Sequence, residues 1–166
     1  MIRDCTTSDF DDILEIINDA AGAYRGAIPA DCWHDPYMDR NELLAEIGDG
    51  VRFQCLEIDG CLAGVMGRQD RGEVFLIRHA YVRTPQRRLG IGGRLLAHLE
   101  ASCNRPVLLG TWRAATWAID FYRKHGYRLL PDAEARVVLP RYWRIPERQI
   151  ETSVVLANAR YCAGAA

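Results

Sequence analysis

Seven residues, Arg87-Arg88-Leu89-Gly90-Ile91-Gly92-Gly93, with Arg94 directly after them, are the stretch of this chain best suited to chemistry. The three glycines let the backbone approach a bulky group, because no Cβ stands in the way. The arginines add positive charge around it. Ile91, Leu95 and Leu99, with Leu96 beside them, then fall at helical spacing, so the loop opens a helix. The first N–H groups of that helix have no intrahelical partner and sit at the positive end of its dipole. Amides, dipole and guanidinium groups converging on one point bind an anion, and a pyrophosphate is the natural guest. The plainer reading of the loop on its own is a turn with a solvated basic patch.

The element that must hold this loop lies just before it. Val74-Phe75-Leu76-Ile77 and Ala80-Tyr81-Val82 form an almost unbroken apolar run, interrupted only by Arg78 and His79. Such a run reads as a strand buried on both faces. Arg83-Thr84-Pro85-Gln86 turns from it into the loop. Two familiar phosphate motifs fail on spacing. A dinucleotide fingerprint needs glycine at position 95, which is Leu95, and no Gly-Lys-Ser/Thr triplet follows as a P-loop requires.

What remains, Arg87-X-X-Gly90-X-Gly92 preceded by Tyr81-Val82, resembles the GNAT superfamily of acyl-CoA-dependent N-acetyltransferases. A second segment, Ala118-Ile119-Asp120-Phe121-Tyr122-Arg123-Lys124-His125-Gly126-Tyr127, is similar to that family's Ala-X-X-Phe-Tyr-X-X-X-Gly-Phe/Tyr sequence. Residues Ile13 to Ala20 are similar to the phosphinothricin acetyltransferase branch. The resemblance implies that acetyl-CoA is a co-substrate. It also implies that the loop of Arg87, Arg88, Leu89, Gly90, Gly92, Gly93 and Arg94 grips its pyrophosphate, while Ala80, Tyr81 and Val82 present backbone to the pantetheine arm. One departure stands out: many members carry Asn three residues before the alanine of the second segment, and here that position is Ala115. Thr111 or Thr116 would then substitute, or strand backbone alone would hold the arm.

The order of elements extends the resemblance over nearly the whole chain. Ile2 to Cys5 is a short strand and Asp9 to Ala21 a helix, with Ile13, Ile16, Ile17 and Ala20 on one face. Gly22 to Arg40 is irregular and aromatic, with Tyr24, Trp33, His34 and Tyr37; an acceptor-site lining or a lid over the core are its two readings. A short helix covers Asn41 to Ile47. Strands at Val51 to Ile58 and Cys61 to Gly67 are joined by Asp59-Gly60, a two-residue hairpin signal. The central strand and third helix follow, then a strand at Val107 to Gly110, which a right-handed crossover makes parallel to the central one. A helix at Thr116 to His125 stops at Gly126, where a left-handed cap is expected. Tyr127 to Leu130 begins another strand, Pro140 to Gln149 reads as irregular, and Ile150 to Leu156 is the last strand, with a loosely held Ala-rich tail behind it. The expected fold class is α/β (α+β): a mixed, mostly antiparallel twisted sheet of about seven strands with about four helices, its parallel fourth and fifth strands splayed apart. Residues 1–166 read as one domain.

Composition bounds the function. A net charge of −1 gives no electrostatic ground for a nucleic-acid or membrane partner. Met1-Ile2-Arg3-Asp4 does not begin a signal peptide and no apolar run reaches membrane-spanning length, so a cytoplasmic protein is expected. The six cysteines are scattered without a Cys-X-X-Cys pair and read as buried reduced thiols, with Cys55 and Cys61 flanking a turn where they could face each other. No set of side chains has metal-ligand spacing.

Amide formation from a thioester needs the amine deprotonated and the departing thiolate protonated. Tyr122, matching the family's usual general acid, is a phenol that is neutral near pH 7 yet able to share its proton. Without the motif it reads as a core tyrosine on an amphipathic helix. His79 lies beside the expected thioester and suits proton removal, although a histidine in a strand also serves as a hydrogen-bonded structural residue. Arg78, expected on the opposite face, would pair with a carboxylate, and Glu73 is a further candidate acting through water. The expected partner is a small-molecule amine, with transfer direct in a ternary complex and a homodimer possible through the last strand. The alternatives are a CoA-binding regulatory module without catalysis, which Ala115 invites, or an acceptor on a protein or peptide.

Overall fold

The computed structural model describes residues 1–162. The chain runs β1 (Ile2–Asp4), α1 (Phe10–Ala21), α2 (Arg40–Gly48), β2 (Arg52–Ile58), β3 (Cys61–Asp70) and β4 (Phe75–Val82) in its first half. There follow α3 (Ile91–Ala101), β5 (Val107–Trp112), α4 (Thr116–Lys124), β6 (Arg128–Leu129), α5 (Asp132–Tyr142), α6 (Glu147–Thr152) and β7 (Ser153–Ala157). The strands form one sheet in the order β1-β2-β3-β4-β5-β7-β6, antiparallel throughout except for the parallel pair β4 and β5. This is the mixed architecture expected. The meander of β2, β3 and β4 turns at Asp59 and Gly60, both with positive φ (50° and 79°), as a tight hairpin of matching twist requires.

The sheet is covered on both faces. On one, Ile91, Leu95, Leu96 and Leu99 of α3 and Tyr122 of α4 pack against Phe75, Ile77, Val107 and Leu109. On the other, α1 and α2 seat Ile13, Ile16, Ile17 and Leu43 against Phe53, Cys55 and Val65. Nearby, α5 places Val138 and Leu139 on Leu76 and Leu108. A helix as short as α3 is marginal in isolation. Burying each of its leucines contributes about 1.5–3 kcal/mol, so packing rather than propensity fixes where its first turn points.

Six α-helices stand among the described residues where four were expected, and both additions lie after β6. Of the stretch Pro140 to Gln149 expected to be irregular, only residues 143–146 are so, because α5 runs to Tyr142 and α6 starts at Glu147. Ala135, Val138 and Leu139 recur at helical spacing and are buried, while Pro140 sits in the last turn of α5. The six residues of α6 take over the start of the expected last strand, which begins at Ser153 instead of Ile150. The tail after Leu156 is not loose over its described part: Asn158 accepts from the Val107 amide at 3.1 Å and donates to Glu100 at 3.2 Å. The remaining residues, 163–166, lie outside the described residues. The cysteines also depart from expectation. Cys55 and Cys103 are buried, Cys61 and Cys162 are exposed, and Cys61 stands across from Ile58 rather than Cys55.

β4 contains an irregularity that matters for everything downstream. Gly67 of β3 pairs with Arg78 and Val65 with Tyr81, so His79 and Ala80 share the place opposite Met66. His79 carries the extra residue's strain, with φ of 50°. Before this bulge, Phe75 and Ile77 face α3; after it, Ala80 and Val82 face α3 and Tyr81 faces α1. The bulge has exchanged the faces. Gly67 makes room for it, since a Cβ there would stand 2.7 Å from the Arg78 carbonyl oxygen.

Candidate active site

The parallel pairing of β4 with β5 lasts only from Phe75–Val107 to Ile77–Leu109. Beyond it, Gly110, Thr111 and Trp112 turn to β7, while β4 stays with β3. A wedge opens between them, as a splayed pair implies. Arg83 donates its amide to the Ala63 carbonyl of β3 at 2.9 Å, so by alternation the amide and carbonyl of Val82 point into the wedge, where β5 no longer reaches. Tyr81 pairs with Val65 on the β3 side, and Ala80 occupies the bulge.

The glycine loop crosses the mouth of this wedge. Arg88 and Gly90 both take left-handed backbone, with φ of 67° and 75°. Among the described residues, the amides from Arg88 through Gly93 donate to no group of the protein. Successive unpaired amides in this twisted conformation line a concavity for an anion, and the start of α3 adds its dipole. A diphosphate therefore fits the donor set. Arg88, Leu89 and Arg94 are exposed around it. Arg87 instead donates to the Ala20 carbonyl at 2.9 Å, and the Thr84 amide donates to Asp19 at 2.6 Å, so both tie the loop to the end of α1. Gly92 and Gly93 serve close packing as well: a Cβ at Gly93 would lie 2.8 Å from His125 Nε2, and one at Gly92 would lie 3.3 Å from Phe121.

The opposite side of the wedge is aromatic. A cavity of about 110 Å³ is lined by Tyr24, Tyr37, His79, Tyr81, Thr111 and Trp112, among others. It adjoins an outer pocket of about 470 Å³ walled by Trp33, His34, Glu42, Glu46, Arg144 and Arg148 with Tyr37 and His79 shared. Residues of the Gly22–Arg40 segment thus wall both chambers and also cover the core at Trp112 and Ala115. Tyr24 sits 5.5 Å from Tyr37, 6.3 Å from Tyr81 and 5.9 Å from Trp117, centre to centre. Trp112 donates its indole N–H to the Tyr37 hydroxyl at 2.9 Å. Burial pushes the Tyr37 phenol up to about 12 against that donation, and burial also holds Tyr81 well above its ordinary value. These hydroxyls stay neutral near pH 7.

His79 stands where the two chambers meet. Its Nε2 lies 3.2 Å from Glu46 Oε2, and Phe53 stacks on the ring at 6.0 Å. Arg78 donates to the same Glu46 oxygen at 2.5 Å and to Gln69 at 2.8 Å. The carboxylate pairing expected of Arg78 is present, but Arg78 and His79 do not face opposite ways, because the bulge cancels the alternation between them. Burial pulls the Glu46 carboxyl upward, yet His79 and Arg78 outweigh it and hold the group below its ordinary value. Glu46 was not singled out from the sequence. Its signal was a carboxylate three residues after Leu43, on the one helix face that is fully buried.

Tyr122, buried in α4, packs edge-on to Phe121 and Tyr127 at 5.0 and 5.5 Å. Its hydroxyl has no hydrogen-bond partner among the described residues, and burial, with Tyr24 nearby, raises the phenol above its ordinary value. Tyr122 lines neither of the two cavities, so the structure does not bring it together with His79 in one chamber. Glu73 precedes β4, at the end away from the wedge, and is held by Arg141 and Tyr142 at 2.7 and 2.6 Å. Ala115 is fully buried under Ile28 and Trp112, Thr111 lines the inner cavity, and Thr116 is exposed. His98 is exposed, and His125 hydrogen-bonds the Phe121 carbonyl at 2.8 Å. Among the described residues no three His, Cys, Asp or Glu side chains cluster as metal ligands, and no helix is long and apolar enough to cross a membrane.

Comparison with known proteins matches this geometry. The acetyltransferase (GNAT) domain model matches residues 18–137, well over half of the chain. No curated protein matches. Among solved structures, an acetyltransferase of the GNAT family from Staphylococcus aureus Mu50 superposes with a TM-score of 0.72 at 18% identity, over 95% of this chain and 97% of that one. The PaiA N-acetyltransferase from Thermoplasma acidophilum, solved in complex with coenzyme A, gives 0.72 at 17% identity over 97% and 98%. The ribosomal-protein-alanine N-acetyltransferase from Brucella melitensis gives 0.65 at 18% over 95% and 98%. At these identities the likeness is one of fold, but the domain match across the sheet, the wedge and the glycine loop shows that the chain belongs to the GNAT acetyltransferase family.

Proposed function

We propose that the whole chain is one cytoplasmic N-acetyltransferase domain that moves an acetyl group from acetyl-CoA to the primary amine of a small molecule, directly within a ternary complex. The observation that carries this reading is the run of unpaired amides from Arg88 to Gly93 beside a strand whose Val82 backbone is open. The neighbour from Thermoplasma acidophilum was solved with coenzyme A, which agrees with it.

In this reading the amides of Arg88, Leu89, Gly90, Gly92 and Gly93, with the side chains of Arg88 and Arg94, hold the pyrophosphate, and Arg87 braces the loop on α1. Ala80, Tyr81 and Val82 align the pantetheine arm along β4. Acetyl-CoA supplies the activated acyl thioester. His79, at the junction of the chambers, takes the proton from the acceptor amine. Tyr122, kept protonated by burial, gives a proton to the departing thiolate. The acceptor enters from the outer pocket past Trp33 and Tyr37. The two adjoining chambers favour a small acceptor over a polypeptide laid in a groove.

Two measurements test this. Calorimetry with the folded chain should show uptake of CoA and of acetyl-CoA, and a screen of amines should show thiol release with at least one. Failure to take up either nucleotide would remove the proposal. Uptake without release across a broad panel would favour the regulatory alternative.

A further inference from the structure

The hydrogen bonds behind His79 run in one direction only, and that direction assigns the proton on its ring. The chain starts at Asp49, whose backbone carbonyl and carboxylate can only accept; both take a bond from Gln69 Nε2, each at 2.9 Å. Gln69 is fully buried, so its amide cannot turn to water. The reversed amide would set its oxygen against two acceptors and its NH₂ against a guanidinium. Gln69 Oε1 therefore faces Arg78 and accepts its Nη1–H at 2.8 Å. Arg78, which can only donate, gives Nη2–H to Glu46 Oε2 at 2.5 Å. The same oxygen faces His79 Nε2 at 3.2 Å. A carboxylate in that position accepts, so the imidazole nitrogen must be the donor. In a neutral ring the lone pair is then on Nδ1.

We infer that Glu46 is a positioning residue that fixes His79 as the Nε2–H tautomer, aligned through Arg78 and Gln69, so that Nδ1 is the atom that takes the proton from the acceptor amine. The inference rests on the reading of His79 as the base. The positive φ of His79 and the Phe53 stack hold the ring in the same pose from the main chain and from its face. The charged groups around it are Glu46 and Arg78 on the inner side and Asp31, Glu42, Arg144 and Arg148 around the outer pocket.

The test is nitrogen-15 NMR of the full chain labelled at histidine, at a basic pH where the His79 signals no longer change with pH. The His79 signals are assigned by their loss in His79→Gln. The expected spectrum has a protonated, pyrrole-type Nε2 and a pyridine-type Nδ1. Glu46→Leu, which takes the acceptor away from the ring, should let the proton redistribute toward Nδ1. It should also lower the rate of thiol release from acetyl-CoA, with the best amine of the panel, by up to about 100-fold while CoA affinity is kept. A wild-type spectrum with the proton on Nδ1 overturns the inference, whether or not the variant folds. The expected tautomer together with undiminished turnover in His79→Gln overturns instead the base role on which it rests.

Discussion

The two sides of the β4–β5 wedge offer different means of recognition. The α3 side offers main chain: consecutive amides from Arg88 to Gly93, with side chains that are absent, exposed or, at Ile91, turned into the core. The side of α1 and α2 offers side chains, rings and a partly buried ion pair drawn from positions 24 to 153. A backbone site asks little of side chains beyond the glycines its conformation and packing need. A side-chain site can be retuned one residue at a time on an unchanged scaffold. One face is suited to an invariant cofactor and the other to a varied acceptor.

Substitutions can break that division, beginning with the largest effect. Tyr122→Phe is expected to lower kcat by about 100-fold or more with CoA affinity unchanged, read by steady-state thiol release; unchanged turnover would remove Tyr122 from the chemistry. Gly90→Val forces a branched side chain into φ of 75° and should weaken CoA binding by about 10-fold or more in calorimetry, without touching the aromatic side. Gly67→Ala drives a methyl toward the Arg78 carbonyl and should cost about 1–3 kcal/mol in denaturant unfolding, while CoA affinity per folded molecule stays the same. Tyr37→Phe removes the acceptor for Trp112, a loss of about 0.5–1.5 kcal/mol, and should raise the acceptor KM alone. The smallest effect should come from Arg88→Ala and Arg94→Ala. Exposed charges of this kind are worth under about 1 kcal/mol, so CoA affinity should fall only a few-fold, and less at high salt. If the arginines proved more damaging than Gly90→Val, the contrast between main-chain and side-chain recognition would be wrong.

The same contrast explains what could be read from the sequence. The donor side is one contiguous stretch whose glycine spacing follows from local backbone geometry, so it is visible at Arg87 to Arg94. The hairpin at Asp59-Gly60 and the cap at Gly126, with φ of 85°, are visible for the same reason. The acceptor side is assembled by tertiary structure from segments far apart. Tyr24 and Tyr37 stood out only as aromatic, and Glu46 did not stand out at all. Arg78 and His79 were assigned to opposite faces because strict alternation hides a bulge. Val137-Val138-Leu139 and Pro140 concealed α5, because a short β-branched run and a proline outweighed the buried period of Ala135, Val138 and Leu139.

The doubled place opposite Met66 also sets how this enzyme can change by insertion and deletion. Removing one residue, at 79 or 80, would restore even pleating and leave Tyr81 opposite Val65 on the face of α1 and Val82 on the face of α3; only the imidazole beside Glu46 would go, deleted in the first case and turned to the α3 face with Met66 in the second. A shortened chain of that kind would keep its shape and its register. The extra residue is thus a graft that adds one side chain to the pocket without displacing any neighbour along the strand.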